Sequence, residues 1–131
     1  MVAKGESLNK VLGNAVEADS SKYHQELTQI LLSNEQVTKA YELIRDRIIF
    51  TNERLILINI QGLTGSKVSY TSYPYSSIKV YSMENAGTLD TDCEIKLFIQ
   101  GLSLPISLSF KKGTDLKPIY KTLSEYILRV N

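Results

Sequence analysis

CEIKLFIQGLSLPISLSF, residues 93–110, alternates apolar and polar side chains on both sides of a short break. Cys93, Ile95, Leu97 and Ile99 share one face, as do Leu104, Ile106, Leu108 and Phe110, while Glu94, Lys96, Ser107 and Ser109 point the other way. A period of two with one apolar face is that of half-buried antiparallel strands, and Gly101–Ser103 supplies the short glycine-containing loop that joins such a pair. Pro105 lacks a backbone N–H and belongs at an edge or a strand end.

Upstream, from Glu35 on, β-branched and aromatic residues dominate, and short apolar runs are separated by Asp, Asn and Gly. This texture predicts strands at Val37–Arg45, Ile48–Thr51, Arg54–Asn59, Lys67–Tyr73 and Ile78–Glu84, followed by Cys93–Gln100 and Leu104–Phe110. Asn52-Glu53 reads as a tight turn between apolar runs. Downstream the period returns to 3.6: Leu116, Ile119, Tyr120, Leu123, Tyr126, Ile127 and Val130 form one stripe of an amphipathic helix. Thr114 or Asp115 is its expected cap, Pro118 falls in its first turn, and its end is expected near Val130. At the other end, Leu8, Val11, Leu12, Ala15 and Val16 predict a short helix over Ser7–Val16. A second helix, capped by Ser20 or Ser21, carries Tyr23, Leu27, Ile30 and Leu31 and stops at Ser33-Asn34. The organisation expected is a helical extension over residues 1–34 and a β-rich domain over 35–131, with the final helix covering the open end of the sheet.

At 131 residues the chain is long enough to bury about two thirds of its unfolded surface. Its 43% hydrophobic and 22% charged content is that of a globular chain rather than a disordered or membrane-spanning one. A net charge of +1 gives no global attraction to nucleic acid, so none is expected as a partner. The single cysteine, Cys93, and single histidine, His24, supply neither a disulfide nor a zinc set, and no cofactor or metal is expected. The opening residues MVAKGESLNKVL lack the apolar run of an export signal, and neither a myristoylation glycine at position 2 nor a prenylation cysteine is present, so a cytoplasmic location is expected.

RDRIIFTNERLILINIQGLTGSKVSYTSYPYSSI (residues 45–78) and MENAGTLDTDCEIKLFI (residues 83–99) resemble the bacterial pleckstrin-homology domain family. The resemblance runs from Leu31 to Leu128 and includes Phe50-Thr51, Arg54-Leu55, Gln61-Gly62, Pro74-Tyr75, Glu84, Gly87, Asp90, Asp92 and Glu94. It implies a mainly β fold: a seven-stranded antiparallel barrel of two orthogonal sheets capped by the C-terminal helix. It also implies ring-like homo-oligomers and no established chemistry.

Candidate sites follow from side-chain chemistry. Lys39, Arg45, Arg47 and Arg54 are similar to the Lys-then-Arg-x-Arg arrangement by which some eukaryotic pleckstrin-homology domains hold inositol phosphates, which makes an anionic headgroup a candidate ligand. Lys111, Lys112, Lys117 and Lys121 form a second basic cluster; either set is equally a solvated face. Tyr70, Tyr73, Tyr75 and Tyr81 gather around one turn and suit either a protein interface or a packed barrel end. Glu84, Asp90, Asp92 and Glu94 crowd one hairpin, as a hard-cation site, which lacks the glycine-centred twelve-residue calcium loop, as a contact for a basic partner, or as charges that keep an edge from aggregating. Gly62-Leu-Thr-Gly65-Ser-Lys67 lacks the spacing and the following helix of a phosphate loop and reads as a turn. No catalytic motif is legible, His24 has no nucleophile or carboxylate assigned to it, and Cys93 reads as a core residue. The expectation is a binding and assembly module rather than an enzyme, self-associating, with anionic lipid as the alternative partner.

Overall fold

The computed structural model describes residues 16–43, 45–84 and 93–129. Backbone contacts divide them into two compact units, one over Glu17–Tyr75 and one holding the described residues from Ser76 onward.

The first unit is a sheet in the order β1-β2-β3-β4-β5, with β1 at Val16–Glu17, β2 at Val37–Glu42, β3 at Arg47–Thr51, β4 at Arg54–Gln61 and β5 at Lys67–Pro74. β2 to β5 form an antiparallel meander, with Ile49 opposite Ala40 and Ile56, and Ile58 opposite Tyr70. A short helix, α1 (Ser20–Glu26), lies on one face. There Tyr23 and Leu27 join Val37, Ala40, Ile49, Ile56 and Ile58 in a buried cluster. Tyr41, Ile48, Phe50 and Leu55 are buried on the opposite face, where the Tyr41 and Phe50 rings meet edge to face at 6.1 Å. Burial on both faces explains why β3 and the start of β4 read as continuous apolar runs instead of alternating. A register shift between Val37 and Lys39 lets Val37 and Ala40, three positions apart, join the same buried cluster.

The second unit is a sheet in the order β6-β7-β8, from Ile78–Glu84, Cys93–Ile99 and Ile106–Phe110, followed by α2 at Lys117–Ile127. Cys93, Ile95 and Leu97 are buried beside Leu108 and Phe110, so the alternation in residues 93–110 gives the correct face. Leu116, Ile119, Leu123 and Ile127 are buried along the stripe that begins at Leu116 and continues through α2. Tyr81 ties that helix to β6: its hydroxyl donates to Ser124 Oγ at 2.8 Å, and its ring lies 5.1 Å from that of Tyr120.

The expected strands are present, with ends shifted by up to three residues. Leu104 is left out of β8 and is 76% exposed, because Pro105 has no N–H for the ladder and the strand starts at Ile106. β1 occupies Val16, where a helix was expected to end; residues 7–15 of that helix lie outside the described residues. α1 is capped by Asp19 rather than Ser20 or Ser21, through Asp19 Oδ1 accepting from Ser21 N–H at 2.9 Å. It ends at Glu26, leaving Ile30 exposed in the turns that follow. α2 begins beyond Thr114; the Asp115 carboxylate accepts from Lys117 N–H at 3.1 Å, and the helix closes at Ile127, before Val130. Val130 itself lies outside the described residues.

Candidate functional surface

Four basic residues were candidates for a headgroup site, and the sheet disperses them. Arg47 lies opposite Ile58, four residues along β4 from Arg54, or ~13 Å at ~3.3 Å per residue. Lys39 pairs with Phe50 and so occupies the face opposite the one carrying Arg47, Ile49 and α1. A single phosphate cannot touch all four.

Two of the guanidinium groups are also committed to the fold. Glu35, which is 1% exposed, accepts from Arg54 Nη2 and Leu32 N–H on Oε1 and from Arg54 Nε and Thr51 Oγ1 on Oε2, at 2.6–3.0 Å. Arg54 further donates to the Ile30 carbonyl at 2.8 Å and to Ser72 Oγ at 3.1 Å. This fork clasps the turns after α1 to the β3–β4 turn and to β5. Burial by itself raises the Glu35 pKa, but the bonds from Arg54, Thr51 and Leu32 N–H outweigh it and hold the carboxyl at about 2, below its ordinary 4.5. The bond to Glu35 raises the Arg54 pKa in turn.

Arg47 donates through Nε to the Tyr23 hydroxyl at 3.0 Å and through Nη1 to the carbonyls of Arg45 and Asp46. Tyr23 donates to Glu42 at 2.7 Å, and burial followed by that carboxylate pushes its pKa to about 12. Arg45 is exposed, and its Nη2 donates to the Gly62 carbonyl at 2.9 Å, at the tip of the β4–β5 hairpin. Gly62 and Gly65 hold φ of 87° and 70° there, which glycine adopts without strain and which display Leu63 fully to solvent.

The tyrosines do not form one surface. Tyr70, opposite Ile58, stands on the face that carries α1, and Tyr73, opposite Leu55, stands on the other. Tyr75 is buried, its hydroxyl donating to the Thr51 carbonyl at 2.6 Å. Tyr81 is engaged by α2, as described above. Among the acidic residues Glu84 and Glu94 face each other across β6 and β7, with Lys96 Nζ 3.6 Å from one and 3.7 Å from the other. Asp90 and Asp92 lie outside the described residues.

The most accessible element is β5. Every residue from Lys67 to Ser72 is exposed, including Val68 at 42% and Tyr70 at 55%. β5 ends the sheet order, and its register with β4 runs without a bulge from Lys67 to Pro74. Among the described residues no cluster of His, Cys, Asp and Glu could hold a metal ion, and no helix is long and apolar enough to cross a membrane. A shallow cavity of about 320 Å³ beside α1 is lined by Ser20, Ser21, His24, Gln25, Gln36 and Val37. His24 Nδ1 accepts there from Val37 N–H at 3.4 Å, and the lining supplies no thiol or carboxylate.

Sequence reasoning missed Glu35 and Leu63. The first left one signal, an acid immediately before the apolar β2 run; the second left another, a large apolar residue bracketed by turn glycines.

Comparison with known proteins agrees with this architecture. The sequence model of the bacterial PH domain family matches residues 6–127. The uncharacterized protein YjqA of Bacillus subtilis (strain 168) is 43% identical over 118 residues, spanning 89% of this chain and 94% of that one. Among solved structures, a pleckstrin homology domain from Shewanella amazonensis SB2B is 47% identical with a TM-score of 0.80, over 92% of this chain and 97% of that one. A DUF1696 family protein with a pleckstrin-homology domain from Shewanella loihica PV-4 is 49% identical with a TM-score of 0.77, over 88% and 98% of the two chains. With its mainly β fold of two antiparallel sheets and a C-terminal helix, the chain belongs to the bacterial PH domain family.

Proposed function

We propose that this PH-like domain is a non-enzymatic binding module that assembles with copies of itself. The observation that carries the reading is β5: eight residues of sheet edge, exposed from Lys67 to Ser72, unbulged, and carrying Lys67 as their one charge. Proteins ordinarily blunt such an edge with charge, proline or a bulge, because its N–H and C=O groups template pairing with another strand. Here the proline stands at the last position and the charge at the first, leaving Val68 to Tyr73 without charge, proline or bulge. Light scattering after gel filtration, at two protein and two salt concentrations, tests it. A discrete, salt-tolerant multiple of the chain mass is expected, and a single-chain mass at every concentration refutes assembly.

A different observation favours a second reading, contact with an anionic membrane surface. The hairpin tip presents Leu63, with the Arg45 guanidinium held on Gly62 and exposed Lys67 nearby in sequence, so an apolar tip sits beside two cations. This replaces the wider patch of Lys39, Arg45, Arg47 and Arg54 with Arg45 and Lys67. The chain has no tryptophan, so Leu63→Trp supplies a unique fluorophore. A blue shift of its emission with phosphatidylglycerol vesicles, reduced by salt, is expected; unchanged emission refutes the reading.

A further inference from the structure

We infer that the turn before α2 and the exposed side of that helix's first two turns form a docking surface for an acidic peptide segment of another protein, held by Lys111, Lys112, Lys117 and Lys121. The inference concerns the second unit alone and does not rest on the assembly reading.

The backbone fixes where these cations stand. Thr114, which is 1% exposed, donates to the Lys111 carbonyl through its N–H at 3.1 Å and its Oγ1 at 2.5 Å, and Gly113 takes a φ of 79°. Lys111-Lys112 is therefore the exposed shoulder of a closed turn. Cys93 Sγ donates to the Thr114 carbonyl at 3.5 Å and ties the turn to β7. Beyond it Leu116, Ile119 and Leu123 are buried, which leaves Lys117 and Lys121, four residues apart, exposed together with Cβ atoms about 5–6 Å from each other. A closed turn spans less than about 7 Å, three extended residues at most about 11 Å and one helical turn about 5.4 Å, so the lysines lie along about 25 Å at most. Arg47, Arg54 and Lys96 stand 3.7, 2.9 and 3.6 Å from a carboxylate, whereas among the described residues no carboxylate comes as close to any of these four lysines. Asp115 is the one acid between Lys111 and Lys121, and its carboxylate accepts from the Lys117 N–H at 3.1 Å.

The kind of anion follows from what accompanies the charge. Leu116 and Ile119 are buried and Tyr120 is half-buried with its ring against Tyr81, so the patch offers neither an apolar group to enter a bilayer nor a free ring on which a base could stack. Lysine brings a point charge rather than the fork with which arginine clamps a phosphate. Asp115 sits in the middle and repels a flat anionic surface, whereas a peptide can lead its backbone past it. Carboxylates along about eight extended residues, at ~3.3 Å per residue, match the length of the patch.

Fluorescence anisotropy of a fluorescein-labelled oligoglutamate long enough to span the patch, titrated with the full chain at low and moderate salt, tests the inference. Saturable binding that weakens with salt is expected. Lys112→Glu/Lys117→Glu is expected to raise the dissociation constant at least tenfold. Lys22→Glu/Lys67→Glu, which changes the net charge equally but in the other unit, is expected to raise it by no more than about threefold. Lys112 and Lys117 are exposed and a glutamate at 117 suits the first turn of α2, so the circular dichroism spectrum should not change. Should that variant unfold, Lys111→Ala/Lys112→Ala, outside the helix, decides in its place, with a loss of at least threefold expected. No binding by the parent chain at low salt overturns the inference, as does an equal loss in the two charge-matched variants, which means that net charge alone is read. Tighter binding of phosphatidylglycerol vesicles or of single-stranded DNA than of the peptide, lost in Lys112→Glu/Lys117→Glu, overturns it in favour of a membrane or a nucleic acid.

Discussion

The Glu35–Arg54 clasp makes a quantitative prediction in acid. Glu35 has a folded pKa of about 2 against an ordinary 4.5, and it is buried, so bulk water screens little of the effect. A carboxyl whose pKa is depressed by folding contributes stability that is complete above its unfolded pKa and is lost as pH falls through the folded one. At about 1.4 kcal/mol per pKa unit, that drop makes roughly 3 kcal/mol, present in full above pH ~5 and gone by pH ~2. Against a total stability of roughly 5–15 kcal/mol for a small domain, the loss is large enough to shift an unfolding midpoint clearly.

Glu35→Gln is the perturbation that isolates it. The amide keeps the shape and an acceptor for Arg54 but cannot titrate, and its NH2 group meets donors where the carboxylate accepted four bonds. Urea unfolding at a series of pH values from 7 to 2.5, followed by circular dichroism, is the assay. The expected result is a variant less stable than the parent by about 2–4 kcal/mol at pH 7, the cost of breaking one partner of a buried charged pair, with the difference shrinking as pH falls below 4.5. A parent and a variant whose stabilities fall in parallel across that range would refute the assignment of the acid-sensitive term to Glu35. The chain carries fourteen acidic residues, which is why the difference between the two proteins, rather than either curve, carries the information.

At the alkaline end the sign reverses: Tyr23 is raised to about 12, so it favours the folded state fully below pH 10 and loses that contribution between 10 and 12. Absorbance titration of tyrosinate should show one late ionisation that is missing in Tyr23→Phe. Tyr75→Phe removes the hydroxyl that donates to the Thr51 carbonyl and leaves a buried acceptor without that donor, an expected loss of about 1–2 kcal/mol by urea unfolding; an unchanged midpoint would show that the bond contributes nothing. Leu123→Ala, at a fully buried position of α2, should cost about 2–5 kcal/mol, whereas the same change at exposed Leu128 should cost little.

The strands were legible because their side chains alternate or run continuously apolar, and β-pairing depends on that pattern more than on any single residue. Boundaries were less legible where one backbone feature overrides composition. Leu104 is as apolar as Leu108, but Pro105 removes an N–H and the ladder cannot extend back to it. Ile30 continues the spacing of Tyr23 and Leu27, but the helix ends at Glu26 and the spacing loses its meaning. The candidate site was harder to read for a different reason. Charge is visible in a sequence; its partner is not. Arg54 and Glu35 are 19 positions apart, and only the fold brings them to 2.9 Å.

That pairing also changes which surface is credible as a binding site. A guanidinium with its donors on Glu35, Ile30 O and Ser72 would have to break buried bonds to receive a phosphate, and Arg47 would have to release Tyr23 and two carbonyls. The most conspicuous cations of the sequence therefore serve to hold α1 and the turns after it against their own sheet. What the described residues of the same sheet leave without a strand partner is backbone: the outer N–H and C=O groups of β5, flanked by Val68 and Tyr70. Those groups are satisfied by water in an isolated chain and by another strand in an assembly, and exchanging one for the other breaks no bond on which the fold depends. A surface that can be covered without disturbing the domain beneath it meets the basic requirement for a building block, and in this chain it is met on the side of the sheet that carries almost no charge.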